Sequence, residues 1–264
     1  MVDVLRRLPH RLQDNLFSAS LPPGTPLSCN DWTITTAAHD RRRAVPLIAQ
    51  PPKRSWDHYG LHNPSYAAGV VAHGGRMLRR ERIYYTGRGS RSFVENARPL
   101  AIGVMEKTPD GWIRRPEPVL RGTADYPRVL EPKMRYYEGK WRMWYVAMPK
   151  VAGKKTPPAY QVRYVESDDG LANWSSPQVL FSTAEGFYDA VVTKSAGGYE
   201  LVTCQSGNLA NKPGSAPQGI WWLTSPTPSG VRQQWTSSPV RILEAGAQSK
   251  ALVCQWRDRY VCSI

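Results

Sequence analysis

No stretch of this sequence approaches the roughly 18–20 consecutive apolar residues that carry a helix across a bilayer, which excludes a helical membrane span. The opening MVDVLRRLPHRLQDNLF holds arginines but neither an apolar core nor a small-residue cleavage site, so no secretory signal is visible and the expected location is cytoplasmic. Cysteine is scarce. Cys29, Cys204, Cys254 and Cys262 contain no CxxC pair, and His10, His39, His58, His62 and His73 all lie in the first third. That spacing supplies no zinc ligand set, so the expectation is buried reduced thiols with no metal and no cofactor. GRGSR (87–91) lacks the lysine and following helix of a phosphate loop, no GxSxG elbow occurs, and the histidines show no triad arrangement. Acidic residues are also short: 21 Asp and Glu against 35 Lys and Arg leave a net charge of +14.

Turn formers and aromatics, in contrast, are plentiful. The 264 residues include 23 Pro, 21 Gly, 10 Trp and 13 Tyr, a composition of many short strands joined by tight turns. With 41% hydrophobic and 21% charged residues the chain is globular in composition and long enough for a sizeable core. The N-terminal stripe Val4, Leu5, Leu8, Leu12, Leu16 predicts a short helix docked on the domain, although Pro9 interrupts it.

The sequence also repeats itself. EPKMRYYEGKWRMWYVA (131–147), DAVVTKSAGGYELVTC (189–204) and KALVCQWRDRYVCSI (250–264) each read as an alternating strand, a tight turn and a second strand opening on an aromatic. Their turns, at Gly139, Gly197 and Asp258, are 58 and 61 residues apart. A third strand and turn follow in PLAIGVMEKTPDG (99–111), YQVRYVESDDG (160–170) and GIWWLTSPTPSG (219–230). After each turn come a tryptophan (Trp112, Trp174, Trp235, spaced 62 and 61) and a proline-led apolar strand. The unit is four antiparallel strands, which cannot bury both faces alone, and copies stacked about an axis make a β-propeller.

The predicted architecture is therefore a single all-β propeller domain over residues 1–264. Its blades run near 56–120, 121–181, 182–243 and 244–264, after an N-terminal extension of residues 1–55. The last blade is incomplete or is closed by N-terminal strands at TITTAA (33–38) and AVPLIAQ (44–50).

The turns Ser167-Asp168-Asp169-Gly170 to Trp174 and Thr108-Pro109-Asp110-Gly111-Trp112 resemble those of five-bladed propeller glycosidases. So do the hairpins of the form acid-Pro-x-x…Gly-x-Trp/Tyr, and the resemblance is to glycoside hydrolase families 43 and 32 over about residues 56–264. In those enzymes carboxylates stand at the starts of the innermost strands, which maps onto Asn63, Glu131, Asp189 and Lys250. Glu131 and Asp189 keep the charge that the resemblance asks for, whereas the amide of Asn63 cannot act as a base. Glu185-Gly186-Phe187 resembles the surroundings of the family 43 acid but falls four residues early. The resemblance implies hydrolysis of a glycosidic bond with Asp189 or Glu185 as the acid and Glu131 tuning or orienting it, the base being open between Asp57 and Asp31. Asp125 is a further candidate carboxylate. Such hydrolysis sets one protonated and one ionised carboxyl group across the scissile bond.

The loops after each second strand hold Arg88, Arg91, Lys150, Lys154, Lys155 and Lys212 against one acid, Glu95. Basic loops around an acidic pair suit an anionic carbohydrate, gripped by Arg88 or Arg91. The paired Trp221-Trp222 offers one ring for stacking on a sugar. A non-catalytic carbohydrate-binding propeller is the second expectation, and Asn63 favours it. Single-stranded nucleic acid is a third candidate partner, for which the sequence holds no recognition motif.

Overall fold

A computed structural model of the protein describes residues 14–26, 28–92, 97–150, 160–205, 219–244, 252–256 and 259–263. Four short strands come first: β1 (Ala19–Ser20), β2 (Thr33–Ile34), β3 (Thr36–Ala37) and β4 (Asp40–Ala44). Three four-stranded antiparallel sheets follow, each built in chain order. The first holds β5 (Gly60–His73), β6 (Arg76–Arg88), β7 (Ala101–Thr108) and β8 (Gly111–Arg114). The second holds β9 (Arg128–Tyr137), β10 (Lys140–Met148), β11 (Gln161–Ser167) and β12 (Gln178–Phe181). The third holds β13 (Tyr188–Ser195), β14 (Gly198–Gln205), β15 (Gly219–Ser225) and β16 (Val240–Glu244). A two-stranded sheet of β17 (Leu252–Trp256) and β18 (Arg259–Ser263) comes last. No described helix is long and apolar enough to cross a membrane.

The repeated sheets are the blades of the predicted all-β propeller. Their hairpins turn where positive φ is available: Gly74 and Gly75 at φ 55° and 74°, and Glu138 and Gly139 at 52° and 77°. The first strands of successive sheets touch directly. The Met134 amide donates to Ser65 Oγ at 2.8 Å, and Arg135 Nε donates to the Val192 carbonyl at 3.1 Å. Between the first two sheets lie Tyr84, Val104, Met134, Trp141 and Met143, all buried. Between the second and third lie Trp144, Tyr164, Phe181, Leu201 and Trp235.

A polar clasp repeats with the blades. Arg82 on β6 is buried, pairs with Glu106 on β7 at 3.0 Å, and donates to the Asp169 carbonyl in the turn of the next sheet. Its guanidinium also lies 4.6 Å from the centre of the Trp141 ring. Sixty residues on, Arg142 pairs with Glu166 at 2.8 Å and donates to the Pro228 carbonyl at 3.4 Å. Tyr84 and Trp144 do the same job beside them, donating to the Gly170 carbonyl at 2.8 Å and the Ser229 carbonyl at 3.4 Å. Each of the first two blades thus holds the turn of its successor. Glu200 and Thr224 are the corresponding cross-strand pair of the third sheet, so the clasp is not repeated there.

Gly170 makes this docking possible. Its φ is +69°, and a Cβ there would come within 2.7 Å of Trp141 Cγ and Tyr84 Oη. Gly170→Ala should therefore lose about 2–3 kcal/mol through combined backbone strain and overpacking. Urea denaturation checks this, with Gly139→Ala as reference, because a Cβ at Gly139 meets nothing within 4 Å.

The N-terminal region departs from expectation in two respects. The second closing strand is Asp40–Ala44 rather than 44–50, because Pro46 has no N–H to continue a ladder. Pro46 instead makes one bridge to Phe17. Moreover, β1 pairs with β2 and β3 with β4, while β17 and β18 pair with each other. Among the described residues, therefore, no N-terminal strand pairs with β17 or β18. Of the predicted helix along Val4 to Leu16, residues up to 13 lie outside the described residues, and its described end is not helical. From Asp14 the chain is extended, and Leu16 is buried with Leu61, Ile83, Tyr85 and Met105.

Candidate active site

Each innermost strand of the three four-stranded sheets starts with the same distortion. Along β5, His62 pairs with Thr86 and Ser65 with Tyr84, so the strand carries one residue more than its partner over that step. On β9 Leu130 pairs with Val146 and Lys133 with Trp144; on β13 Tyr188 pairs with Cys204 and Val191 with Val202. The residue opening each bulge is left-handed although it is not glycine: Asn63 at φ 51°, Glu131 at 56° and Asp189 at 67°. Such a conformation costs about 1–3 kcal/mol per residue and collects at functional sites. These are the three described strand-start positions that the repeat register aligns. Lys250, the fourth, lies outside the described residues.

The bulges bring Glu131 and Asp189 to one lysine. Lys133 Nζ stands 2.9 Å from Asp189 Oδ2 and 3.7 Å from Glu131 Oε2. All three side chains are largely withdrawn from water, at 12% exposure for Glu131, 7% for Asp189 and 14% for Lys133. Tyr188 Oη donates to Glu131 Oε1 at 3.1 Å. The backbone of the pair is pinned as well. The Glu131 amide donates to Thr86 Oγ1 at 2.9 Å, and Thr203 Oγ1 donates to the Asp189 carbonyl at 2.6 Å. Asp189 Oδ1 accepts the Ala190 amide at 2.8 Å.

The electrostatics follow from this crowding. Burial and then the Asp189 charge push the Glu131 carboxyl up to about 7, against the opposing pull of Lys133 and the Tyr188 hydroxyl. Burial alone would lower Lys133, but Asp189 and Glu131 outweigh it and hold the ammonium above its ordinary value. Burial followed by the Glu131 charge keeps the Tyr188 hydroxyl well above the usual phenol range. A carboxyl group near 7 can hold a proton at neutral pH and deliver it, while the lysine keeps a neighbouring negative charge in place.

The other sequence candidates sit elsewhere. Glu185 Oε2 accepts the Ser182 amide at 2.9 Å and Oε1 accepts Arg232 Nε at 2.9 Å, a turn-closing arrangement. Asp57 is fully buried between Tyr85 Oη at 2.9 Å, Ser55 Oγ at 2.9 Å and Arg114 Nε at 3.4 Å. Asp31 and Asp125 are exposed. Arg88 donates to Asp14 Oδ2 at 2.9 Å and to the Tyr59 carbonyl at 3.0 Å. Arg91 and Lys150 are exposed, and Lys154, Lys155, Lys212 and Glu95 lie outside the described residues. Trp221 packs edge-on to Phe187 at 5.9 Å and is partly buried against the core between the second and third sheets. Among the described residues no group of three or more His, Cys, Asp or Glu side chains could hold a metal ion.

Sequence reasoning offered Lys133, beside Arg128, as an ion-pair partner for the strand-start carboxylates, which the structure bears out for Lys133, and missed Tyr188. Tyr188 directly precedes the third bulge, and Lys133 lies two residues beyond the left-handed Glu131 of the second. Only the folded side-chain contacts show that both reach Glu131.

No protein-family profile and no curated protein matches the chain. Among solved structures, one described as a glycoside hydrolase superposes with a TM-score of 0.55 at 14% identity, covering 85% of this chain and 68% of its own. A structure of BT0996 described as an RGII complex gives 0.55 at 15% identity, with the same coverage of 85% and 68%. A xylan β-1,4-xylosidase from Bacillus halodurans C-125 gives 0.47 at 15% identity over 81% of this chain. The chain spans 38% of that xylosidase, well under half its length. At these identities the likeness speaks for architecture alone: the chain shares its β-propeller fold with the first two of these structures.

Proposed function

We propose that the protein hydrolyses a glycosidic bond, with Glu131 as the general acid and Asp189, held by Lys133, as the charge that tunes it. The observation that carries this reading is a single arrangement. A buried carboxyl raised to about 7 shares a lysine with a second carboxylate, on strained bulges at corresponding strand starts. Glycosidase propellers of the same architecture support the choice of reaction class. Glu185 has no part in the chemistry, since Ser182 and Arg232 occupy its carboxylate.

The test is turnover of a panel of nitrophenyl glycosides alongside unactivated oligosaccharides. Glu131→Gln should lose about 10²–10⁴-fold on the oligosaccharides and much less on nitrophenyl substrates, whose leaving group needs no protonation. Equal turnover by wild type, Glu131→Gln and Asp189→Asn would remove the assignment.

Asn63 favours a second reading, a carbohydrate-binding propeller without turnover, which the same panel identifies as binding without product. The finer proposal of an acidic sugar rests on Arg91 and Lys150, both exposed. On that proposal, binding of a uronic-acid glycan should weaken with salt more than binding of its neutral counterpart.

A further inference from the structure

Resting on the glycosidase reading, we propose that Asp14, from outside the repeats, supplies the base carboxylate that the strand start of the first sheet lacks. In that sheet the order is β5, β6, β7, β8, so β5 has a free edge, and it is the strand whose Ser65 meets Met134 on the first strand of the next sheet. Asp14 lies on that free edge. It bridges Gly60 in parallel, and its carbonyl accepts the Leu61 amide at 3.2 Å. The close approach needs glycine, because a Cβ at Gly60 would come within 2.9 Å of Asp14 Oδ2.

The carboxylate is held by the very strand ends that carry the site. Oδ2 stands 2.9 Å from Arg88 Nη2 and 3.0 Å from His62 Nε2. His62 immediately precedes Asn63 and pairs with Thr86, whose hydroxyl holds the Glu131 amide. Thr86 and Arg88 lie two residues apart on one face of β6, an advance of about 6.6 Å. Asp14 is thus held by Arg88 and the Glu131 backbone by Thr86, neighbouring points of one strand, and the proposed step needs a water and a sugar between the two carboxyl groups. Their surroundings differ as the two roles require. Glu131 is 12% exposed and raised to about 7, whereas the Asp14 side chain is 43% exposed. Arg88 and His62 both engage Oδ2, which leaves Oδ1 of this partly exposed side chain outside both ion pairs.

In the step proposed, Asp14 takes a proton from water as the water oxygen bonds to the anomeric carbon. The bond from that carbon to the leaving oxygen breaks, and the leaving oxygen receives the Glu131 proton. Asp14 ends protonated and Glu131 ionised, and exchange with solvent restores both.

A merely structural Asp14 would hold Arg88 and His62 and do no more, so the experiment must separate the two roles. The full chain and its Asp14→Asn, Asp14→Glu and Glu131→Gln variants are assayed on the same glycosides across pH, with and without added sodium formate. Asp14→Asn should lower kcat about 10²–10⁴-fold with KM little changed on both substrate classes, because leaving-group quality does not replace a base. It should also abolish the acid limb of the pH profile and recover part of its rate in formate, while Asp14→Glu keeps the limb. An active wild type with an equally active Asp14→Asn overturns this inference and leaves the glycosidase reading intact. So does a loss in Asp14→Asn with an unchanged pH profile and no formate rescue. A wild type that binds glycans and turns none over overturns the glycosidase reading, and the role of Asp14 falls with it.

Discussion

Glu131→Gln should make the protein inactive on unactivated glycosides and, above pH 7, more stable than the wild type. The two effects share one cause. In the folded chain the carboxyl titrates at about 7, against an ordinary 4.5, because burial and Asp189 disfavour its charge. Between those values the folded state binds a proton that the unfolded state has released. Stability is therefore full below the unfolded value and falls as pH rises through about 7, by at most about 1.4 kcal/mol per pH unit. Glutamine keeps the shape and still accepts the Tyr188 hydrogen bond, but it has no charge to desolvate. The variant should gain on the order of 1–2 kcal/mol at pH 8 and nothing at pH 4. Urea midpoints at the two values check it, and a variant less stable than wild type at pH 8 contradicts the electrostatic picture. In the wild type the same titration sets the alkaline limb, since an acid must be protonated to act: activity should fall as pH rises past about 7.

Lys133→Met should have the largest effect on stability. The ammonium stands between two withdrawn carboxylates, 2.9 Å from Asp189 and 3.7 Å from Glu131, and no other described cation forms an ion pair with either. Methionine fills much the same volume and leaves both carboxylates without their counter-ion. Removing one partner of a buried charge cluster costs about 3–5 kcal/mol, more than the cluster itself contributes over an apolar replacement. The loss should be greatest near pH 8 and shrink towards pH 5, as protons take the place of the lysine. The alkaline limb of activity should also move upward, because Glu131 loses the charge that lowered it. A pH-independent destabilisation would instead mean that the packing of the lysine stem matters and its charge does not.

Much of the fold was legible because a propeller repeats its local chemistry. The alternation in 131–147 and 189–204, the turns at Gly139 and Gly197, and the spacing of Trp112, Trp174 and Trp235 are properties of the backbone path and of blade contacts. The first sheet was harder to delimit because its hairpin is longer, with strands of 14 and 13 residues. The first N-terminal strand region, 33–38, holds Thr33–Ile34 and Thr36–Ala37, but the second was misplaced by several residues, since Asp40–Ala44 is a run of charge that alternation does not mark and Pro46 blocks the apolar run beyond it.

Register alone placed Asn63, Glu131 and Asp189 in one set, because a shared repeat puts equivalent residues at equivalent strand starts. Their partners were decided elsewhere. That Lys133 joins the two carboxylates, that Asp57 is spent on Tyr85 and Arg114, and that Arg88 answers to Asp14 all depend on contacts between distant segments. A periodic sequence reports which face a side chain leaves from, since strand alternation is local. Where a long side chain ends, and which charge meets it there, is settled only when separate blades close on one another and remove the water between them.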